Sequence, residues 1–336
     1  MQKHPVLILA GNDRVATALV HALAFQEFDT FVAASEPYAY ALYLVGDARR
    51  ISLRRTDDPK YVANLLGQCA ENQIRVVIPS SDAELLLLAD ARGWFQAQGV
   101  DLLMCASEGL KTSMDRQHLM ERCREIVATP LSQPIGDQFK TGDWEFPVLV
   151  RKRHRISGDE VGVANTPAEL DRMGWGDDLI AQSYLGGERY IVEVLTDETG
   201  TPVFAVPIVE LRNRQSDSVA YRTIHDPELQ ELALRVVAEL GLTHGVSVRF
   251  QRNRDDNLFL NDVTPRFSRT LPLVIAAGFN PVTASLRGLL GIQQPSRPAE
   301  MADMAMIPGS DPLFLPCEEV ERLEDLFFRT RLERND

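Results

Sequence analysis

At 336 residues the chain has room for two or three domains and a large buried core. A composition that is 45% hydrophobic and 25% charged is ordinary for a globular protein, and a net charge of −13 argues against a nucleic-acid partner, whose phosphates call for a basic surface. The scattered cysteines (Cys69, Cys105, Cys123, Cys317), the absence of an apolar leader before the first strand and the lack of any run near the ~20 residues of a membrane span predict a reduced, soluble, cytoplasmic protein with no membrane partner.

Val6–Ala10 is a continuous apolar run of the kind found in parallel strands buried on both faces. The turn Gly11-Asn12-Asp13-Arg14 and an amphipathic helix from Val15 to Ala24 follow. Phe31–Ala34 predicts a second strand, and Val76–Pro79 a third after a helix over Tyr61–Asn72. Ser81-Asp82-Ala83-Glu84 is a capping box opening the next helix, and Asp101–Met104 closes the set. This alternation to about residue 107 predicts a doubly wound α/β domain. A dinucleotide fingerprint needs three glycines in the first turn, and only Gly11 is present.

A helix is predicted over Lys111–Ile126. Phe146–Arg151 is a strand ending in the basic run Arg151-Lys152-Arg153-His154-Arg155, and Ser157-Gly158 lies in the loop beyond. Arginine side chains and loop amides gathered at a strand end suit a triphosphate. Thr166-Pro167 starts a helix. Leu179–Gln182, Tyr190–Leu195 and Val203–Ile208 are strands, Pro227–Leu240 is a helix, and Val246–Gln251 forms a hairpin with Leu258–Val263 around Asp255–Asn257. This half reads as α+β with an antiparallel sheet. Asn280–Leu290 is a helix, and Leu323, Leu326 and Phe327 mark a final amphipathic helix that docks on the body or on another subunit, which leaves a homodimer open.

The segment Leu258–Ser268 carries the sharpest chemistry. Asp262 and Thr264, two apart in a strand, share a face. Pro265 ends the strand, and Arg266 leaves at its tip. A carboxylate and a hydroxyl can hold Mg²⁺, and an arginine can fork onto phosphate or carboxylate; an ordinary hairpin end is the competing reading.

In order, these pieces resemble the ATP-grasp superfamily, nearest its members like the carbamoyl phosphate synthase large chain. The resemblance spans about residues 5–290. It rests on the Asp115-Arg116 helix, Phe146–Arg151 with Ser157-Gly158, Leu179–Leu185, Gly187-Glu188-Arg189-Tyr190, Asp226–Leu229, Pro265–Ser268 and Ala277–Asn280. It implies a Rossmann-like pre-ATP-grasp domain over 1–107, a two-lobed ATP-grasp domain over 108–295 (small lobe about 140–185) and a C-terminal segment over 296–336. It further implies ATP with Mg²⁺, one ion rather than two, and an acyl-phosphate route joining a small-molecule carboxylate to an amine or a thiol.

By position, the resemblance gives Arg116 and Arg151 to the phosphates, Ser157 and Gly158 to the loop above them, and Gln182, Ser183 and Leu185 to the adenine side. Asp262 and Thr264 become metal ligands, and Arg266 the contact to the transferred phosphoryl group or the substrate carboxylate. Arg212, Arg214 and Arg222 are candidates for the substrate carboxylate or plain surface arginines; His154 and His225 receive no role. Several positions depart from the family pattern. Arg249 stands where a carboxylate or glutamine is usual, Asp262 replaces Glu, Thr264 replaces Asn, and Arg189 takes the ribose-binding carboxylate's place, with Glu188 one residue earlier. A guanidinium ~4 Å from a dication is opposed by roughly 8 kcal/mol at an effective dielectric of ~20. Arg249 therefore points away, stands in for one metal, or marks a nucleotide-binding protein that has lost turnover.

Overall fold

The structure is a computed structural model that describes residues 4–105, 107–155, 160–212, 219–292, 301–309 and 317–332. Ser157, Gly158 and Arg214 lie outside the described residues. The chain divides into two compact units. Unit 1 gathers the described parts of Met1–Met104, Arg266–Glu300 and Pro308–Asp336, and unit 2 those of Cys105–Pro265 and Met301–Ile307.

Unit 1 begins with β1 (His4–Leu9), α1 (Asp13–Leu23), β2 (Phe28–Ala34), β3 (Arg50–Ser52), α2 (Tyr61–Glu71), β4 (Val76–Ile78), α3 (Asp82–Ala97) and β5 (Asp101–Leu102). All strand pairs are parallel, in the order β3-β2-β1-β4-β5. The run Val6–Leu9 is completely buried in the centre, as its unbroken apolar character requires. Asn12 caps α1 through the Val15 N–H, and Ser81 and Glu84 form the expected capping box on α3.

The first turn of this unit is filled from within. The Glu84 carboxylate accepts the N–H groups of Gly11, Ser80 and Ser81, each at 2.9 Å, and Asn12 N–H donates to Ser80 Oγ at 2.8 Å. A Cβ on Gly11 would lie 2.4 Å from Glu84 Oε1, so glycine is needed here for close approach. In a dinucleotide fingerprint this turn presents its amides to pyrophosphate; here a side chain takes them.

Unit 2 runs through α4 (Ser107–Met114), α5 (Arg116–Cys123), β6 (Ser132–Ile135), β7 (Val148–Lys152), β8 (Glu160–Ala164), α6 (Pro167–Met173) and β9 (Gly176–Ser183). It continues through β10 (Arg189–Thr196), β11 (Pro202–Arg212), β12 (Val219–Thr223), α7 (Pro227–Glu239), β13 (Gly245–Arg252) and β14 (Leu258–Thr264). A four-stranded antiparallel sheet, β6-β9-β7-β8, packs Ile135, Val148, Val150 and Ala181 against Leu170 of α6. The helix predicted over Lys111–Ile126 is broken in two. Asp115 adopts an extended conformation and its carboxylate accepts the N–H groups of Gln117 and His118, which ends α4 and caps α5.

The chain then adds α8 (Leu271–Ala276) and α9 (Pro281–Leu289) to unit 1, the short β15 (Ala305–Met306) to unit 2 and α10 (Cys317–Leu332) to unit 1. Residues 266–292, grouped above with the 108–295 domain, thus pack with the N-terminal sheet, because Leu271, Val282 and Leu286 join the core formed by Val6, Ile8 and Leu19. Leu323 and Phe327 of α10 are buried in the same core, and Glu319 pairs with Arg50 at 2.7 Å, whereas Leu326 is exposed. β15 completes a second antiparallel sheet in unit 2, ordered β14-β13-β10-β11-β12-β15. Cys69, Cys105 and Cys123 are buried, and burial pushes the Cys69 and Cys123 thiols up to about 12. Among the described residues no helix is long and apolar enough to cross a membrane.

Candidate functional site

The register of the six-stranded sheet separates two chemically different faces. On β13, Val246, Val248 and Phe250 enter the core that also holds Leu229, Ala233 and Val236 of α7. Ser247, Arg249 and Gln251 alternate onto the opposite face. On β14, Val263 joins that core while Asp262 and Thr264 lie on the polar face, Asp262 opposite Arg249 and Thr264 opposite Ser247. The register shifts between Arg249 and Phe250, making Asn261 the extra residue of a bulge. Its Nδ2 donates to Gln251 Oε1 at 3.0 Å. Such a bulge re-aims side chains locally, and here it sets Asn261 and Asp262 next to one another at the polar edge.

Asp262 is almost completely buried, 1% exposed, and its carboxylate is encircled by cations. Oδ2 lies 2.8 Å from Arg155 Nη1, 3.3 Å from Arg151 Nη2 and 3.8 Å from Arg116 Nη2, while Oδ1 accepts the Val263 N–H at 3.0 Å. Burial alone would push this carboxyl up, but the guanidiniums of Arg155, Arg116, Arg151 and Arg249 together hold it well below the usual carboxylate range. Asp262 is therefore ionised, one anion among four cations.

The arginines are fixed by their backbones and by neutral acceptors. Arg155 N–H donates to Met114 O and Arg116 N–H to Arg153 O, both at 3.0 Å, so the end of the basic run is stitched to the α4–α5 break. Arg116 Nη1 donates to Lys152 O, Arg155 Nη1 to Val263 O, and Arg151 Nη1 to Gln182 Oε1 and Asn261 Oδ1. Arg153 does something else: it grips Asp115 with contacts of 2.8 to 3.1 Å and locks the helix break. The basic run is thus divided, with alternate residues 151 and 155 on Asp262 and 153 on Asp115.

The remaining expected residues fall in several places. Gln182 is buried between Arg151 and Ser132 Oγ. Ser183 donates its N–H to Leu131 O, and Leu185 is buried. Glu188 lies off the polar face, because its carboxylate accepts the hydroxyl of Tyr190, which belongs to the apolar core. Arg189 shares the polar-face register and approaches Glu210 at 3.9 Å. Arg266 belongs to unit 1, where its Nε donates to Asp82 Oδ1 at 2.8 Å. Arg222 is exposed opposite Val209, a core residue of the apolar face. His154 and His225 are exposed, and Arg212 ends β11.

Sequence reasoning missed Arg155 and Ser247 as site residues. Arg155 could have been found in the basic run itself, since alternation from Arg151 carries to 153 and 155. Ser247 carried a weaker signal: a small polar residue between two valines of a buried strand. Both Ser247 Oγ and Thr264 Oγ1 are buried without a hydrogen-bond partner among the described residues.

The donor set on β14 does not fit a divalent cation at Asp262. Both carboxylate oxygens are committed to protein donors, and the facing residue is a fourth arginine. Among the described residues no group of three or more His, Cys, Asp or Glu side chains could hold a metal ion. The arrangement instead suits a polyanion, whose oxygens can accept from several guanidiniums at once.

Residues 6–103 match the family model described as PylC-like, N-terminal domain, and residues 176–310 the model described as ATP-grasp in the biosynthetic pathway with Ter operon. The chain is similar to the carbamoyl phosphate synthase large chain of Deinococcus radiodurans, 24% identical over 259 residues that cover 70% of this chain and 25% of that one. It therefore spans about a quarter of the length of that relative. It is also similar to the solved structures of an L-amino acid ligase from Bacillus licheniformis (13% identity, 88% of this chain and 76% of that chain, TM-score 0.67) and of N5-carboxyaminoimidazole synthetase from Staphylococcus aureus complexed with ADP (14%, 91% and 82%, TM-score 0.69). At these identities the likeness to the solved structures is one of fold.

Proposed function

Starting from a chain that belongs to the ATP-grasp superfamily, we propose that it is an ATP-dependent ligase joining a small-molecule carboxylate to an amine or a thiol. The observation that carries this reading is the cluster of Arg116, Arg151, Arg155 and Arg249 around Asp262, a buried excess of positive charge on the polar face of unit 2. Such an excess is stabilised by a ligand carrying several negative charges, and a nucleotide triphosphate supplies them. In the proposed reaction a substrate carboxylate oxygen attacks the γ-phosphorus and ADP leaves. The amine or thiol then attacks the acyl carbon, and inorganic phosphate departs. The protein's part is positioning and charge neutralisation, since no covalent enzyme intermediate is needed. Arg116, Arg151 and Arg155 would hold the phosphates, with the Gln182–Leu185 strand end toward the base.

A second reading has its own observation. Asp262, the carboxylate that the family resemblance makes a metal ligand, is already saturated by protein donors, as expected of a nucleotide-binding protein without turnover. Release of ADP from ATP, assayed against pooled amino acids, small carboxylates and amines, separates the two. ADP formation that depends on one carboxylate and is lost in Arg151→Ala supports the ligase. Tight ATP binding with no ADP under any pool supports the second reading and sinks the first. Arg266→Ala forms a separate arm because Arg266 pairs with Asp82 in unit 1: full activity in that variant removes Arg266 from the reaction.

A further inference from the structure

We propose that Arg249, Ser247 and Thr264 form a seat for the terminal phosphate of the nucleotide, so that the polyphosphate binds this chain without a divalent cation; the inference rests on the nucleotide reading above. Register brings the three together: Arg249 faces Asp262, and Ser247 faces Thr264 one step along the same two strands and on the same face. Ser247 and Thr264 are 0% and 1% exposed, and neither hydroxyl has a hydrogen-bond partner among the described residues. Two buried hydroxyls directly across a strand pair normally bond to each other, to backbone or to water, because an unmet buried polar group is costly. Left unmet beside a guanidinium, they are donors waiting for an acceptor.

The charge around them decides which ligand that is. Hydroxyl oxygens can also bind a cation, but a dication here would face Arg249 and the Arg116–Arg151–Arg155 cluster across Asp262. A phosphate oxygen is favoured by the same cations. It can take two donors from the Arg249 fork and one from each hydroxyl, occupying the place that a bridging metal fills in phosphoryl-transfer sites of the usual kind. Arg249 thus supplies the countercharge, and Ser247 and Thr264 fix the orientation.

Calorimetric titration of the full chain with ATP and ADP, in EDTA and in Mg²⁺, tests this. The expected result is an ATP Kd in EDTA within about threefold of that in Mg²⁺, and ATP binding more tightly than ADP in EDTA. Arg249→Gln should weaken ATP binding in EDTA by about a hundredfold while weakening ADP binding far less. Ser247→Ala and Thr264→Val should each weaken ATP binding in EDTA by about three- to tenfold. These two substitutions remove an unmet polar group, so they leave the fold intact and keep the test valid if Arg249→Gln fails to fold. ATP binding that requires Mg²⁺, or hydroxyl variants with unchanged Kd because the hydroxyls hold only water, overturns the inference while the nucleotide reading stands. No nucleotide binding in either buffer overturns that reading, and the inference with it.

Discussion

Two places in this protein are built like anion sites, and they have opposite fates. In unit 1 the turn after β1 gathers the N–H groups of Gly11, Ser80 and Ser81, and Glu84 of α3 satisfies all three. In unit 2 the polar face of β13 and β14 gathers four guanidiniums, and the single carboxylate of Asp262 leaves positive charge in excess. Folding closes the first site by giving it an internal anion of matching stoichiometry. The second stays under-compensated, and a protein retains that arrangement at a cost in stability unless a ligand completes it. Charge balance, more than donor count, separates a structural knot from a binding site.

Breaking the balance in unit 2 should have the largest effect. Asp262→Asn removes the only anion from the arginine cluster and should lower stability by about 3 to 5 kcal/mol in denaturant titrations, with ATP or pyrophosphate restoring much of the loss. An unchanged midpoint would mean that the cluster is not electrostatically strained. The same group predicts a pH effect. Because the Asp262 pKa is lowered on folding, its stabilisation is present above the unfolded value of 3.8 and is lost as pH falls through the lower folded value. The gap between wild type and Asp262→Asn should therefore close only in strong acid.

Glu84→Ala strips the carboxylate from three backbone donors and should cost about 1 to 3 kcal/mol. Here the pH sign is reversed: burial raises the Glu84 pKa, so its contribution is greatest below the unfolded value of 4.5 and falls as pH rises through the folded value. A gap between wild type and Glu84→Ala that widened with rising pH would contradict this assignment. A smaller effect, about 1 to 2 kcal/mol, is expected for Gly187→Ala, whose new Cβ would lie 2.5 Å from Arg252 O and push β10 from β13, with loss of protection in hydrogen exchange at the Gly187 amide. The smallest belongs to Arg222→Ala. This exposed arginine is off the polar face, and its removal should change stability by no more than about 0.5 kcal/mol and leave ATP affinity unchanged.

Much of this contrast was legible in the residues, and the failures are specific. The parallel core run Val6–Leu9, the Ser81–Glu84 capping box and the alternation that puts Asp262 and Thr264 on one face depend on neighbours within a few residues. The helix over Lys111–Ile126 was misread because Asp115 looks like any polar helix residue until Arg153 and the Gln117 and His118 amides claim it. Glu84 looked like half of a capping box, and nothing local showed that its carboxylate would also reach Gly11. The short strands β3, β6, β12 and β15 exist by pairing with partners chosen elsewhere in the chain.

The sequence by itself determined which residues could share a strand face, where helices begin, and that arginines crowd the ends of strands 148–152 and 245–252, because these follow from backbone periodicity and short-range capping. Only the tertiary structure decided what those arginines meet. Arg116, Arg151 and Arg155 come from segments far upstream of Asp262, and the stitch between Met114 and Arg155 delivers them to one carboxylate oxygen. Coulomb interactions depend on distance through space, and no local pattern encodes that distance. A strand that reads as a metal ligand in sequence becomes, once folded, the anion at the centre of an arginine cluster.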